Sequence, residues 1–223
     1  MKVMIFGSTG MVGQAALLEC IRSDDVSEVL VVVRRGGDEP HKKVRELVVP
    51  DLASFPNVAG ALGRYDACLF CAGVSSVGMS EEAYTKVTFE LTMTVANLLA
   101  RQNPPMVFVY VTGKGTDGSE QGDTMWARIK GKTENALMAL PFRGAYMFRP
   151  GYIHPMDGIK SRTLAYRLGI IIARPFYPVL RRLWPDSVTT TRNIGRAMLA
   201  AVREGSGKRV VETPEINVLG AQA

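Results

Sequence analysis

The 223-residue chain has three cysteines and two histidines, no run of about five like charges, and no apolar stretch near the ~18 residues that span a bilayer. Each scarcity removes a class of protein. Three cysteines, an odd number, cannot build a disulfide scaffold and suit a reducing compartment, for which the cytoplasm is the expectation. His41 and His154 are the only histidines, so no Cys/His set completes a zinc site and no metal is expected. The first residues carry one lysine, a short apolar run and glycines, without the long apolar middle and small-residue cleavage site of a secretory leader. The net charge of +6 would suit nucleic acid, an anionic membrane or a phosphate-rich cofactor. Its lysines and arginines are spread along the chain, however, and no nucleic-acid partner is expected. Internal repeats and low-complexity segments are absent.

What is present begins at once. Val3 to Phe6 is an apolar run that reads as a buried strand, and it stops at glycine. Gly7, Gly10 and Gly13 follow at intervals of three, and a helical pattern through Val12, Ala15, Ala16 and Leu17 runs to Arg22. In such a strand–turn–helix unit the first glycine makes the turn and the second lets backbone approach a pyrophosphate. The third lets helix and strand pack closely, with the phosphate at the helix N-terminus. Gly7, Ser8, Thr9, Gly10, Met11 and Val12 are therefore expected to cradle a dinucleotide.

Strands and helices alternate from there. Val29 to Val33 is a second strand ending in Arg34-Arg35-Gly36-Gly37, with the first acidic residue only at Asp38. An acidic side chain at this strand end would bind the ribose hydroxyl of NAD, whereas a guanidinium forks onto the 2′-phosphate of NADP. Arg34 and Arg35 thus favour NADP over NAD. Val44 to Val49 reads as the third strand; Asp51, with Leu52 beside it, either approaches the adenine or caps a short helix. The fourth strand, Ala67 to Cys71, opens into a small-residue loop in which Cys71, Ala72 and Gly73 should lie along the cofactor. Cys68 and Cys71 form a C-x-x-C, but residues three apart on a strand face opposite sides, so core packing is expected.

A long helix, 81–102, and the strand Val107 to Val111 lead to the loop Thr112 to Gly118; a helix over 123–139 and a strand, Ala145 to Phe148, follow. The alternation predicts an α/β, doubly wound parallel sheet with helices on both faces. Beyond it, Arg162 to Arg174 is apolar with interspersed arginines, and Tyr177 to Trp184 reads as a short helix. A substrate-side lobe is favoured over membrane-surface contact through 158–184. Thr191 to Arg203 should form a helix packing back on the sheet, and Arg209 to Glu212 an edge strand. The expected organisation is a dinucleotide-binding domain at 1–156, a small helical lobe at 157–190 and a returning segment at 191–223, within one structural domain.

Gly7 to Gly13, the Arg34 strand end, Cys71 to Gly73, Thr112 and Arg149-Pro150-Gly151 together resemble an atypical short-chain dehydrogenase/reductase. The nearest likeness is to its small branch of Tat-interacting-protein regulators and NAD-dependent epimerase-like proteins. Met125-Trp-Ala-Arg-Ile-Lys-Gly-Lys-Thr-Glu134 is similar to that family's Tyr-x-x-x-Lys-Gly-x-x-Glu helix. The resemblance spans Lys2 to about Arg203 and implies a Rossmann-type fold and an oxidoreductase or epimerase acting on a small-molecule substrate. It makes Thr112 and Lys130 the catalytic candidates, and places Thr112, Lys130, Pro150, Gly151, Tyr152 and Ile153 at the nicotinamide half. Trp126 stands where the family has its tyrosine, and an indole N–H has no useful acidity. Tyr84, Tyr152 and His154 are the candidate replacement acids. The competing expectation is a non-catalytic NADP(H)-dependent redox sensor or regulatory protein. A monomer or a homodimer is expected, with the helices at 81–102 and 123–139 as the dimer face by analogy.

Overall fold

A computed structural model describes residues 1–37, 41–60, 62–159 and 177–222. In chain order the strands are β1 (Lys2–Phe6), β2 (Glu28–Val33), β3 (Val44–Val48), β4 (Ala67–Phe70), β5 (Val107–Val111), β6 (Gly144–Arg149), β7 (Tyr152–His154), β8 (Val188–Thr190) and β9 (Val210–Glu212). Seven form one sheet in the order β3-β2-β1-β4-β5-β6-β9, and every neighbouring pair is parallel. The helices are α1 (Met11–Arg22), α2 (Phe55–Ala59), α3 (Glu81–Thr85), α4 (Leu91–Gln102), α5 (Met125–Met138), α6 (Tyr177–Leu183), α7 (Thr191–Glu204) and α8 (Thr213–Gln222).

The continuous apolar strands are explained by cover on both faces. Val3, Ile5, Val29, Val31, Leu69 and Val109 point to an aliphatic face closed by Ala15 and Cys20 of α1, Ile194 and Met198 of α7, and Ile216 of α8. Their alternate neighbours Met4, Phe6, Leu30, Phe70, Phe108 and Met147 point to the other face, closed by Phe55, Val95, Leu99 and Leu137. That second face carries a row of rings: Phe55, Phe6, Phe70, Phe108 and Phe142, with successive centroids 5.0–5.9 Å apart. Cys68 belongs to the ring face and Cys71 packs against the aliphatic one, so the C-x-x-C is core packing, as its strand position implied.

The order of strands reverses direction between β1 and β4, the switch point beyond whose carboxyl ends open α/β sheets bind their ligands. Ligand-bearing loops in this fold gather at that edge, and they are the loops after β1, β2, β4, β5 and β6.

Several features exceed the sequence-based expectation. The helix over 81–102 is interrupted by a π-turn at Lys86–Glu90, where Thr88 is buried. Residues 152–154 and 188–190 pair as a separate two-stranded parallel sheet. A terminal helix, α8, follows β9. Of the expected lobe at 157–190, residues 160–176 lie outside the described residues, and with them the amphipathic stretch Arg162 to Arg174. Among the described residues no helix is long and apolar enough to cross a membrane.

Candidate functional site

The glycine turn is fixed by collisions that any side chain would cause. Gly7 takes φ +77°, and a Cβ there would stand 2.6 Å from the Ala72 nitrogen on the β4 loop. A Cβ on Gly13 would stand 2.0 Å from the Gly7 carbonyl oxygen, so helix α1 starts pressed against the turn. Gly10 is the N-cap of α1, and no side chain caps the helix. The Gln14 amide reaches the Gly10 carbonyl at 2.8 Å, which leaves the amides of Met11, Val12 and Gly13 with no carbonyl inside the helix. A Cβ on Gly10 would meet nothing nearer than 3.4 Å, and one on Gly73 nothing within 4 Å. Open donors at a positive helix end, beside open backbone, fit a pyrophosphate. Ser8 is buried beneath this turn and Thr9 is exposed on it.

At the end of β2, Arg34 and Arg35 are exposed and make no ion pair among the described residues. The nearby carboxylate of Glu46, on β3, accepts from the Gly37 amide at 2.9 Å and holds the turn beyond them. Asp51 accepts from the Ala53 amide at 3.0 Å and caps the 3-10 turn Leu52–Ser54. Of its two expected roles the structure displays the cap; Leu52 lies half-buried behind it.

The loops after β5 and β6 are assembled differently. Thr112 is buried, and its hydroxyl donates to Glu134 Oε1 at 2.6 Å. Glu134 is fully buried on α5, where Arg149 from the end of β6 embraces its carboxylate: Nε lies 3.0 Å from each oxygen, and Nη2 donates to Oε2. Arg149 also reaches Glu212 of β9 at 3.4 Å. Lys130, one turn before Glu134, donates from Nζ to the Thr112 carbonyl at 2.9 Å. Burial lowers the Lys130 ammonium to about 8, with Glu134 pulling the other way. A hydroxyl that has given its one proton to Glu134 can only accept from a further partner. Thr112 is therefore not placed to donate to a substrate carbonyl.

Trp126 lies one turn before Lys130 on α5, half-buried, with its ring 3.7 Å from the Cβ position of Gly115 in the Thr112 to Gly118 loop. The candidate replacement acids are Tyr84, Tyr152 and His154. Tyr84 is 1% exposed within α3, and burial raises its hydroxyl. His154 is stacked on Tyr177 with ring centroids 3.8 Å apart, and Tyr152 is 6.5 Å from His154, ring to ring. Pro150 and Gly151 are tied to the framework. The Pro150 carbonyl accepts from the Lys114 amide at 3.0 Å, and the Gly151 amide donates to Thr213 Oγ1 at 2.9 Å. Ile153 is buried in the aliphatic core. The structure thus brings Gly7 to Val12 together with Cys71 to Gly73, and Thr112 with Lys130. The residues that sequence reasoning left without a role are Glu134 and Arg149; the motif-like spacing of Glu134, four after Lys130, was the available signal.

Comparison with known proteins fits this geometry. A family model described as NAD dependent epimerase/dehydratase family matches residues 3–132, more than half of the chain. Protein fmp52-2, mitochondrial, of Aspergillus terreus is 24% identical over 205 residues, covering 89% of this chain and 85% of its own. Protein FMP52, mitochondrial, of Debaryomyces hansenii is 29% identical over 189 residues, covering 80% and 82%. Among solved structures, the Bordetella bronchiseptica enzyme WbmF in complex with NAD+ superposes with a TM-score of 0.66 at 14% identity, over 99% of this chain and 77% of that one. A UDP-galactose 4-epimerase gives 0.62 at 17% identity, over 90% and 71%. These likenesses carry the fold. They also overturn the cytoplasmic location expected above, because the fungal relatives are named as mitochondrial. Free thiols report a reducing environment without saying which compartment supplies it.

Proposed function

The chain belongs to the NAD-dependent epimerase/dehydratase family, and from that premise we propose that it binds NADP(H) along the carboxyl edge of its sheet and acts as an oxidoreductase or epimerase-like protein on a small molecule. The observation that carries this is the start of α1 at the sheet's switch point, with no side-chain cap, together with Arg34 and Arg35 exposed at the end of β2 and without an ion pair among the described residues. In this reading Gly7 to Val12 hold the pyrophosphate, Arg34 and Arg35 the 2′-phosphate, and Asp51 with Leu52 the adenine side. Cys71 to Gly73 line the cofactor's length; Thr112, Lys130 and Pro150 to Ile153 border the nicotinamide. The bound nicotinamide would supply hydride chemistry, while the chain binds, orients and shields it. Lys130 keeps N–H groups beyond the one given to Thr112, enough to donate to ribose hydroxyls.

The test is a paired titration of the purified protein with NADPH and NADH, read by energy transfer from tryptophan to nicotinamide. Tight NADPH binding with much weaker NADH binding is the expected result. Binding of neither would end the reading.

A second reading has its own observation. With Trp126 in the tyrosine position and the Thr112 proton committed to Glu134, the usual proton donors are missing. In that reading occupancy by NADP(H) is itself the signal, and the protein is a redox sensor or regulatory binding protein. Trp126→Tyr separates the two. A carbonyl reductase activity that appears only in the variant favours the sensor; equal turnover of a carbonyl panel by both proteins removes Trp126 from the argument.

A further inference from the structure

Arg34 and Arg35 stand between two fixed points of the backbone. On one side the carbonyl of Val33, the last residue of β2, accepts from the Val49 amide at 2.7 Å. On the other the Gly37 amide donates to Glu46 Oε2 at 2.9 Å. Between the two tethers lie only the two arginines and Gly36. A glycine pair is loose backbone unless something holds it, because a residue without Cβ has the most freedom to lose on ordering. Here the second tether falls on that pair.

Strand register places Glu46 for the task. β3 is an edge strand of the sheet, and its Val44, Glu46 and Val48 pair with Val29, Val31 and Val33 of β2. The three valines of β2 point to the aliphatic face, and Val44 packs there with them, so Glu46 and Val48 lie on the same side. A carboxylate between two valines goes against strand preference, and its ordinary reading is a charge that blocks edge-to-edge pairing. That reading leaves the direction of the carboxylate unexplained. The glycine pair folds over this face of β3. A Cβ on Gly36 would stand 3.5 Å from Glu46 Oε2 and 3.7 Å from Val48 Cγ2, and one on Gly37 would stand 3.2 Å from Glu46 Oε1. Both carboxylate oxygens therefore lie against the turn. The adjacent cation, Arg45, pairs with Glu28 at 3.3 Å instead.

We propose that Glu46 is a positioning residue for cofactor selection: it holds the Gly36-Gly37 turn against β3 and so keeps Arg34 and Arg35 at the strand end where a 2′-phosphate is met. Glu46 acts through the backbone and not on the cofactor. A carboxylate beside this turn works against an arriving phosphate, so its benefit comes from the tether rather than from its charge. The inference rests on reading Arg34 and Arg35 as the NADP-selecting pair, and it adds what holds them.

The experiment titrates the full chain and two variants with NADPH and NADH, and follows the Gly37 amide by hydrogen exchange. Glu46→Gln keeps an acceptor of the same reach and removes the charge. Glu46→Thr takes the acceptor out of reach and puts in a residue that strands favour, so folding is not threatened. Glu46→Thr should weaken NADPH about tenfold, change NADH less than about twofold and speed exchange at Gly37. Glu46→Gln should bind NADPH within about twofold of the parent, or tighter, with Gly37 exchange unchanged. Equal weakening of both cofactors in Glu46→Thr overturns the proposal, since Glu46 would then support the fold in general. So does a Glu46→Thr variant that keeps the parent's preference for NADPH. A Glu46→Gln variant as weak as Glu46→Thr overturns it as well, because the charge rather than the tether would be at work. A parent without preference for NADPH fails at the functional reading and takes this role with it; that failure is told apart from the others because it appears before any substitution is made.

Discussion

At the carboxyl ends of β1 and β4, backbone donors are left open; two strands along, at β5 and β6, the polar groups are consumed by one another. Met11, Val12 and Gly13 present amides at a helix start without a side-chain cap among the described residues, on a turn with room beside it. Thr112 spends its proton on Glu134, Glu134 spends its oxygens on Arg149, and Lys130 gives a bond to the Thr112 carbonyl. The first half offers the open donors that the proposed pyrophosphate would need, and the second spends its polar groups internally. In the proposed reading, a chain divided this way would keep its capacity to bind when its capacity to move a proton is lost, because the two depend on different residues.

That division can be broken from either side. The largest effect is expected at the closed half. Glu134→Gln leaves the Arg149 guanidinium without its buried counter-charge and should cost about 3–5 kcal/mol in urea denaturation. Glu134→Gln combined with Arg149→Met should recover part of the loss, since it removes both charges. A single-variant cost below about 1 kcal/mol would show that the closed half does not depend on this pair. On the open half, Gly13→Val forces a side chain into the Gly7 carbonyl and should cost about 3 kcal/mol together with NADPH binding. A stable variant that still binds would mean the turn can open.

Arg34→Ser with Arg35→Ser should leave stability unchanged and weaken NADPH about 10- to 100-fold, with NADH unaffected, as expected for lost charge-assisted bonds to a phosphate. Equal weakening of both cofactors would assign these arginines to general electrostatics. The subtlest change is a pH effect. Burial holds Lys130 near 8 against an ordinary 10.5. Between those values the unfolded chain binds a proton there that the folded chain does not, so this residue's contribution to stability rises with pH. Lys130→Met should therefore be favoured over the parent most at neutral pH, and its advantage should shrink as pH climbs from about 8 to about 10.5. An advantage independent of pH would mean that the amine is well solvated.

The legible parts of the sequence were those whose signal is local. β1, β2, β4 and β5 could be read because strands covered on both faces are unbroken apolar runs, and Gly7 and Gly13 because a close approach admits no other residue. Tyr152–His154 and Val188–Thr190 pair with each other across a long separation, and three residues carry no periodicity to announce it. The π-turn at Lys86–Glu90 sits inside an otherwise regular amphipathic pattern. The cluster at the second half was hidden for another reason. Thr112, Glu134 and Arg149 each have an ordinary reading alone, and only the packing of α5 against the ends of β5 and β6 makes them one network. Asp51 shows the reverse case, where a residue with two expected roles displays the simpler one.

The three cysteines carry a consequence of their own. Burial pushes the Cys20 and Cys71 thiols up to about 12 and the Cys68 thiol well above its ordinary value. Oxidants and alkylating agents attack the thiolate, which is scarce in all three at neutral pH. These three thiols are therefore poor targets for peroxide or electrophiles, and in the sensor reading proposed above the redox signal would have to arrive with the bound nucleotide rather than through cysteine oxidation.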